Sequence, residues 1–272
     1  MSETPVDLSR YFERIGYGGA AAPTVETLSR ILRSHLATIP FESVDPFVRR
    51  TVEISPEAVD AKLIGKRRGG LCFEHGSLFR RVLLTLGYDV TSLTARGFAG
   101  ELRPRAHHAL KVRAENQDWL VEVANGAATP TAPLLWCYDI AQQTPHGAFR
   151  LSWRNGETVL EEEKRDGWVS SYSLSHDPQE PADFEPGNWW TTAHPKSFYR
   201  AYLICTLAPE NVRILLFNNR LTVRRPGFED DEQILDADSL ERCLDTVFGI
   251  EVEPIWRPHL RRAVQLGDEL AA

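Results

Sequence analysis

The chain has 272 residues, 42% hydrophobic and 25% charged, a soluble globular composition with length for one large core or two to three small ones. Its formal net charge is -7, and no basic stretch is long enough to track a phosphate backbone, which argues against a nucleic-acid partner. No apolar run approaches the roughly 18 residues of a bilayer-spanning helix, and the opening MSETPVDLSRYFERIGY lacks the features of a secretory signal.

The first 87 residues read mainly as helices. Over residues 24–39, Val25, Leu28, Ile31, Leu32, His35, Leu36 and Ile39 recur at three- and four-residue intervals and predict one apolar stripe. Ser55-Pro56 predicts a helix start, with a capping hydroxyl followed by a proline in the first turn. Lys66-Arg67-Arg68-Gly69-Gly70 predicts a turn. A helical repeat of Phe79, Val82, Leu83 and Leu86 follows Cys72, and Gly87 stands where such a helix ends. After Gly87 come short β-prone runs at residues 90–95, 109–113, 119–123, 149–153 and 168–174, which predict a small antiparallel barrel or sandwich. Residues 177–188, Pro-rich and acidic, are expected to form an extended connection. Strands at 212–217 and 221–224 and helices at 238–248 and 258–270 complete the chain, so the order is helical, then β, then mixed.

The four cysteines, Cys72, Cys137, Cys205 and Cys243, are widely spaced and form no CxxC pair, which predicts reduced thiols in a cytoplasm. No Cys/His cluster has ligand-like spacing, so no metal is expected. Cys72 differs from the others in its surroundings. It opens a helix, where unpaired N–H groups and the dipole favour thiolate, and Arg67 and Arg68 are placed to add positive charge. On local grounds alone, a small buried hydrophobe is the competing reading. A cysteine nucleophile needs a base and a group to orient it. His107-His108 leads into a strand whose alternation puts the two rings on opposite faces, and parity does not decide which one meets the cysteine. Glu122 lies in the apolar run 119–123, where a carboxylate is either solvent-facing or paired.

Arg68-Gly69-Gly70-Leu71-Cys72-Phe73-Glu74 resembles RGGxCxE, the nucleophile motif of the arylamine N-acetyltransferase family, followed as in that family by Leu78-Phe79. Residues 11–17 (YFERIGY) and 39–42 (IPFE) resemble its YxxRIGY and IPFEN segments, and residues 183–190 (DFEPGNWW) and 194–197 (HPKS) its DFEPxNWY and hPxS segments. The likeness runs from about residue 8 to residue 225. It implies Cys72 as nucleophile and, by position relative to Val112 and the acid, His107 rather than His108 as its base, with Glu122 as the orienting carboxylate. It also implies an α+β, cysteine-protease-like fold. In that fold a helical bundle (1–87) carries the cysteine, a β-barrel (88–187) carries the histidine and acid, and an α/β lid (188–272) follows.

The implied reaction is ping-pong transfer from acetyl-CoA through Cys72 to an arylamine or arylhydrazine, with the loop at Gly126, Ala127 and Thr129 beside the coenzyme's phosphates. Three rivals are an amide synthase of the same scaffold acting on carrier-bound polyketide or aryl acids, a thiol hydrolase, and a binding protein with a decayed triad. The chain departs from the family pattern at several positions. Glu122 stands for the usual Asp, Ala124-Asn125-Gly126 for Gly-Phe-Gly, Gly76 for the Asn two after the motif's Glu, and Ser43 for the Asn of PFEN.

Overall fold

In the computed structural model, which describes residues 4–98, 103–226, 228 and 230–271, Asp7 caps α1 (Leu8–Ile15) by accepting from the Arg10 N–H at 3.1 Å. α2 (Val25–Thr38) is capped by Thr24 and buries Leu28, Ile31, Leu32, His35 and Leu36, the stripe its spacing predicts. β1 (Phe41–Glu42), α3 (Val44–Phe47) and α4 (Pro56–Val59) follow, α4 opening at Ser55-Pro56 as expected. A π turn over Asp60–Gly65 comes next, a feature with no counterpart in the helical spacing. The buried Arg14 guanidinium donates to the carbonyls of Leu63 at 2.9 Å, Thr38 at 3.0 Å and Arg67 at 3.0 Å, tying this turn and the residues after it to the end of α2. α5 (Cys72–Thr85) then packs Leu78, Phe79, Val82 and Leu83 into the same core as α1 and α2.

Two imidazoles cross that core. Burial pushes His75 down to about 4 and His35 well below the ordinary value, so both are neutral. His75 Nε2 must then carry the hydrogen given to the Pro40 carbonyl at 3.1 Å. Its Nδ1 accepts from His35 Nε2 at 2.8 Å, and His35 Nδ1 accepts from the Tyr11 hydroxyl at 2.8 Å. One directed chain thus joins α1, α2 and α5 to the residue before β1.

Strands β2 (Asp89–Gly97), β3 (His107–Ala114), β4 (Gln117–Val121), β5 (Leu134–Leu135), β6 (Gln142–Thr144), β7 (Gly147–Arg154), β8 (Glu157–Lys164) and β9 (Gly167–Leu174) form one antiparallel sheet in the order β5-β4-β3-β2-β9-β8-β7-β6. Its edges nearly close into a barrel, because the Gln142 side chain exchanges hydrogen bonds of 2.7 and 3.0 Å with the Leu135 backbone. Leu93, Leu120, Phe149, Leu160 and Tyr172 fill the inside. Two of its hairpins turn through two-residue loops with left-handed backbones, Glu115-Asn116 (φ 52° and 63°) and Asn155-Gly156 (φ 52° and 80°), matching the strand twist. β8 is absent from the predicted strands because three glutamates obscure its alternation; the Asn155-Gly156 pair was its available signal.

Residues 177–188 depart from the extended connection expected of them. A 3-10 turn (Pro181–Phe184) runs into α6 (Glu185–Thr192), with Pro181 and Pro186 sitting in first turns, where a missing N–H costs nothing. After α7 (Phe198–Ala201) come β10 (Ile204–Leu207), β11 (Arg213–Phe217), β12 (Arg220–Arg224) and β13 (Asp231–Ile234), then α8 (Ala237–Thr246) and α9 (Arg257–Ala271). The second sheet is ordered β1-β10-β11-β12-β13, so a strand from the beginning of the chain is its edge. Leu240, Leu244, Trp256 and Leu260 pack with Val44 and Phe47 beneath it. Among the described residues no helix is long and apolar enough to cross a membrane.

The neutral histidines set an acid limit on this fold. Each resists a proton that the unfolded chain accepts near pH 6.5, so stability is fully present above that pH and falls as pH drops toward 4. The slope is about 1.4 kcal/mol per pH unit for each group. His75→Gln, which keeps a donor for Pro40, should reduce the pH slope of urea-unfolding free energy between pH 6.5 and 5 by about that amount. An unchanged slope would mean that folded His75 binds the proton after all.

Candidate active site

The turn before α5 leaves no room for side chains. A Cβ on Gly69 would lie 1.8 Å from the Pro40 oxygen, and one on Gly70 2.6 Å from Glu74 Oε2. Glu74 reaches back to accept from the Leu71 N–H at 2.9 Å, which fixes the first turn of α5 and sets Cys72 at its first position. The N–H there has no acceptor within the helix. Cys72 is buried, with Sγ 3.9 Å from the Ala106 carbonyl. Arg68 does not lend its charge to the sulfur in the way its sequence position suggests. Its Nε and Nη2 donate to Glu42 Oε1 at 2.9 and 2.6 Å, and Nη2 meets Asp45 Oδ1 at 3.3 Å. Lys62 Nζ extends the cluster, 2.7 Å from both Asp45 and Glu74.

His107 opens β3, and its Nε2 meets Glu122 Oε2 at 2.7 Å. Burial alone would lower this imidazole. The Glu122 charge and hydrogen bonds to Cys72 and Glu122 outweigh it and raise the ring to about 10. With Nε2 engaged by Glu122, Nδ1 is the nitrogen left for the sulfur. β4 ends at Val121, two residues short of the predicted run, so Glu122 stands just beyond the sheet. There its longer side chain folds back, Oε1 accepting from the Ala124 N–H at 2.9 Å and Oε2 from the Tyr172 hydroxyl at 2.8 Å. Tyr172 escaped the sequence reading; the one signal was a phenol in a core-facing strand, which must find a partner.

His108 points the other way. It is buried, its Nε2 is 2.9 Å from Ser92 Oγ, and its ring stacks on Phe184 at 4.1 Å. Burial, then the charges of His107 and Arg80, push it down to about 3. A Cβ on Gly76 would lie 2.3 Å from its Nδ1.

Gly126–Ala128 form a 3-10 turn that Gly126 enters with φ 57°. Asn125 braces it, its Nδ2 donating to the Ala128 carbonyl at 3.2 Å and to Ser171 Oγ at 2.8 Å. Thr129 is buried, and its hydroxyl accepts from the Asn125 N–H and donates to the Gly126 carbonyl, so it builds the turn. Ala127 alone of Gly126, Ala127 and Thr129 borders a cavity of about 430 Å³ that also takes in Lys164, Arg213, Arg224 and Arg225. Arg213 is buried, donates to the Thr129 carbonyl at 2.8 Å, and is pushed down to about 10 by burial. Among the described residues no group of His, Cys, Asp or Glu could hold a metal ion.

This α+β architecture is that of an acyl-transferring enzyme: the N-acetyltransferase family pattern matches residues 24–256. The arylamine N-acetyltransferase of Escherichia coli (strain K12) is 35% identical over 255 residues, covering 92% of this chain and 90% of its own length. The solved arylamine N-acetyltransferase of M. tuberculosis aligns with a TM-score of 0.89 at 33% identity, over 94% of this chain and 100% of that one. That of Mycobacterium marinum in complex with CoA gives 0.89 and 33%, over 95% and 98%. The chain belongs to the arylamine N-acetyltransferase family.

Glu122→Gln removes the main cause that raises His107, so the ring's NMR titration should move well below 10, with acyl transfer slowed about 10²–10⁴-fold. Glu122→Asp is shorter by roughly 1.5 Å, cannot span His107 and the Ala124 N–H together, and should fall between Gln and wild type. An unmoved titration in Glu122→Gln would separate the carboxylate from the ring. Gly76→Ala should cost about 1–3 kcal/mol by overpacking, and far less in a His108→Ala background. Additive losses in urea unfolding would place the ring elsewhere.

Proposed function

We propose that this chain carries an acetyl group from acetyl-CoA to the nitrogen of an arylamine or arylhydrazine through a thioester on Cys72, in ping-pong order. The observation that carries this reading is His107, held by Glu122 at 2.7 Å and kept protonated near neutral pH beside the Cys72 sulfur. A cationic ring there favours a thiolate as the attacking species. The sulfur attacks the thioester carbonyl, and the Cys72 N–H at the head of α5 is the nearest backbone donor to the oxyanion that forms. As the bond to the coenzyme's sulfur breaks, His107 gives its proton to the departing thiolate and becomes a neutral base. It then takes a proton from the amine that attacks the acyl-enzyme, and Cys72 leaves as thiolate. Glu122, itself fixed by Tyr172 and the Ala124 N–H, holds the ring through both halves. An arylamine suits this cycle because its low basicity leaves the lone pair free near neutral pH.

The coenzyme's phosphates are assigned to the cavity beside Ala127. Lys164, Arg213, Arg224 and Arg225 stand on its walls; Lys164 and Arg224 pair with Glu162 and Asp230 of the same walls, which leaves the lining with an excess of positive charge for an anion. All four cysteines are free, the state that a reducing cytoplasm maintains.

Intact-protein mass spectrometry tests the reading. Wild type incubated with acetyl-CoA should gain one acetyl group, mapped to Cys72, and lose it when an arylamine is added. Cys72→Ala should gain none while its circular dichroism is unchanged. Acetylation at another residue, or loss to water as fast as to amine, would sink the proposal.

A further inference from the structure

Tyr199 stands apart among the residues around Cys72. Phe41, Leu71, Cys72, Phe73, Ala124 and Phe184 form one buried cluster, and Tyr199 packs against it from α7. Its ring meets Phe41 edge-on, with centroids 5.8 Å apart. The short helix is held at both ends. The buried Ser197 hydroxyl donates to the Thr191 carbonyl, and Arg262 Nη2, from α9, donates to the Arg200 carbonyl at 3.2 Å. The ring is therefore positioned by its frame, while its hydroxyl makes no hydrogen bond among the described residues. Burial raises this phenol well above its ordinary value, and the charges on Cys72 and Glu122 add to the shift, with Arg103 opposing. The hydroxyl thus keeps its proton, on a ring packed against the cluster that holds Cys72. Cys72 and Glu122 are almost wholly buried and His107 is largely so, whereas Tyr199 is only partly covered.

We infer that the Tyr199 hydroxyl is a specificity-determining donor for the acceptor amine, selecting arylamines whose ring carries a hydrogen-bond-accepting oxygen. The inference rests on the proposed acyl transfer through Cys72. A phenol O–H without an internal partner against an apolar cluster favours a ligand oxygen over a hydrocarbon of the same shape, because only the oxygen completes the bond. Phe41 and the cluster below supply the apolar wall for the aromatic ring. Nothing in this arrangement requires the hydroxyl for the first half-reaction, in which the Cys72 N–H is the proposed donor to the carbonyl oxygen.

The test compares 4-methoxyaniline with 4-ethylaniline, two acceptors of similar shape that differ by one oxygen, on wild type and Tyr199→Phe. The intrinsic difference in nucleophilicity between the amines cancels when the two enzymes are compared. For Tyr199→Phe, kcat/KM should fall roughly ten-fold with 4-methoxyaniline and by less than about two-fold with 4-ethylaniline, the split expected when one neutral hydrogen bond to one ligand is lost. An equal fall with both amines would make Tyr199 a packing or oxyanion residue and overturn the inference, and so would no fall at all. Acetylation of Cys72 is followed by mass spectrometry in the same samples. Adduct formation with an unmoved ratio defeats this inference alone, whereas wild type that never acetylates at Cys72 defeats the acyl-transfer reading and this one with it.

Discussion

One oxygen, the Pro40 carbonyl, accepts from the Gly70 N–H at 3.2 Å and from His75 Nε2 at 3.1 Å, and the position of Cys72 depends on both bonds. On one side, the directed chain from Tyr11 through His35 and His75 brings the helical core to this point. On the other, the Glu42 N–H donates back to the Gly70 carbonyl at 2.9 Å, so the turn before α5 pairs with β1 as a short parallel neighbour. The far edge of β1 pairs with β10. A turn that is hydrogen-bonded this tightly on a glycine with no space for a Cβ has one conformation, the condition for the proposed meeting of Cys72 and His107 within hydrogen-bond reach.

Charge is sorted around that turn with equal care. Below it lie Glu42, Arg68, Asp45, Lys62 and Glu74, largely withdrawn from water and linked end to end. Such a cluster adds little net stability over an apolar equivalent, but removing one member strands the others, so its use is to fix geometry. Arg14 is held by carbonyl oxygens; burial pushes it down to about 10, and it still carries its charge at neutral pH. None of these cations is directed at the sulfur. The positive charge next to Cys72 belongs to His107, and it is there because Glu122 is there.

How much of this was legible in the sequence varied with the physics involved. Helical periodicity located α2 and α5, and caps and glycines located their ends, because those signals act within one turn. Strand alternation showed that His107 and His108 face opposite ways, yet it contained nothing about which face the cysteine occupies, since that depends on how the barrel sits on α5. The family motif supplied that choice. Residues 177–188 were misread because proline and acid report an irregular backbone in general but open a helix when they fall in its first turn. Arg68 was misread because its charge next to Cys72 in sequence says nothing of Glu42 and Asp45, more than twenty residues earlier. Tyr172 and the histidine chain were invisible for the same reason: their partners are distant along the chain.

The departures from the family pattern are each answered by a neighbour within this chain. Ser43, standing for an Asn, is buried and joins β1 to the second sheet, its hydroxyl accepting from the Ile204 N–H at 2.9 Å and donating to the Tyr202 carbonyl at 3.1 Å. Asn125, standing for an aromatic, gives up ring surface and ties the 126–128 turn to β9 through Ser171. The extra methylene of Glu122 is absorbed where β4 stops early, and the spare oxygen finds the Ala124 N–H. At Gly76 the side chain that the motif usually carries is missing, and the His108 ring occupies the place where its Cβ would go. A side chain at 76 would have to displace the imidazole at 108, so the two positions are coupled by packing. This coupling leaves His107 undisturbed because His108 lies on the opposite face of β3, and alternation along a strand keeps a packed core apart from a site one residue away.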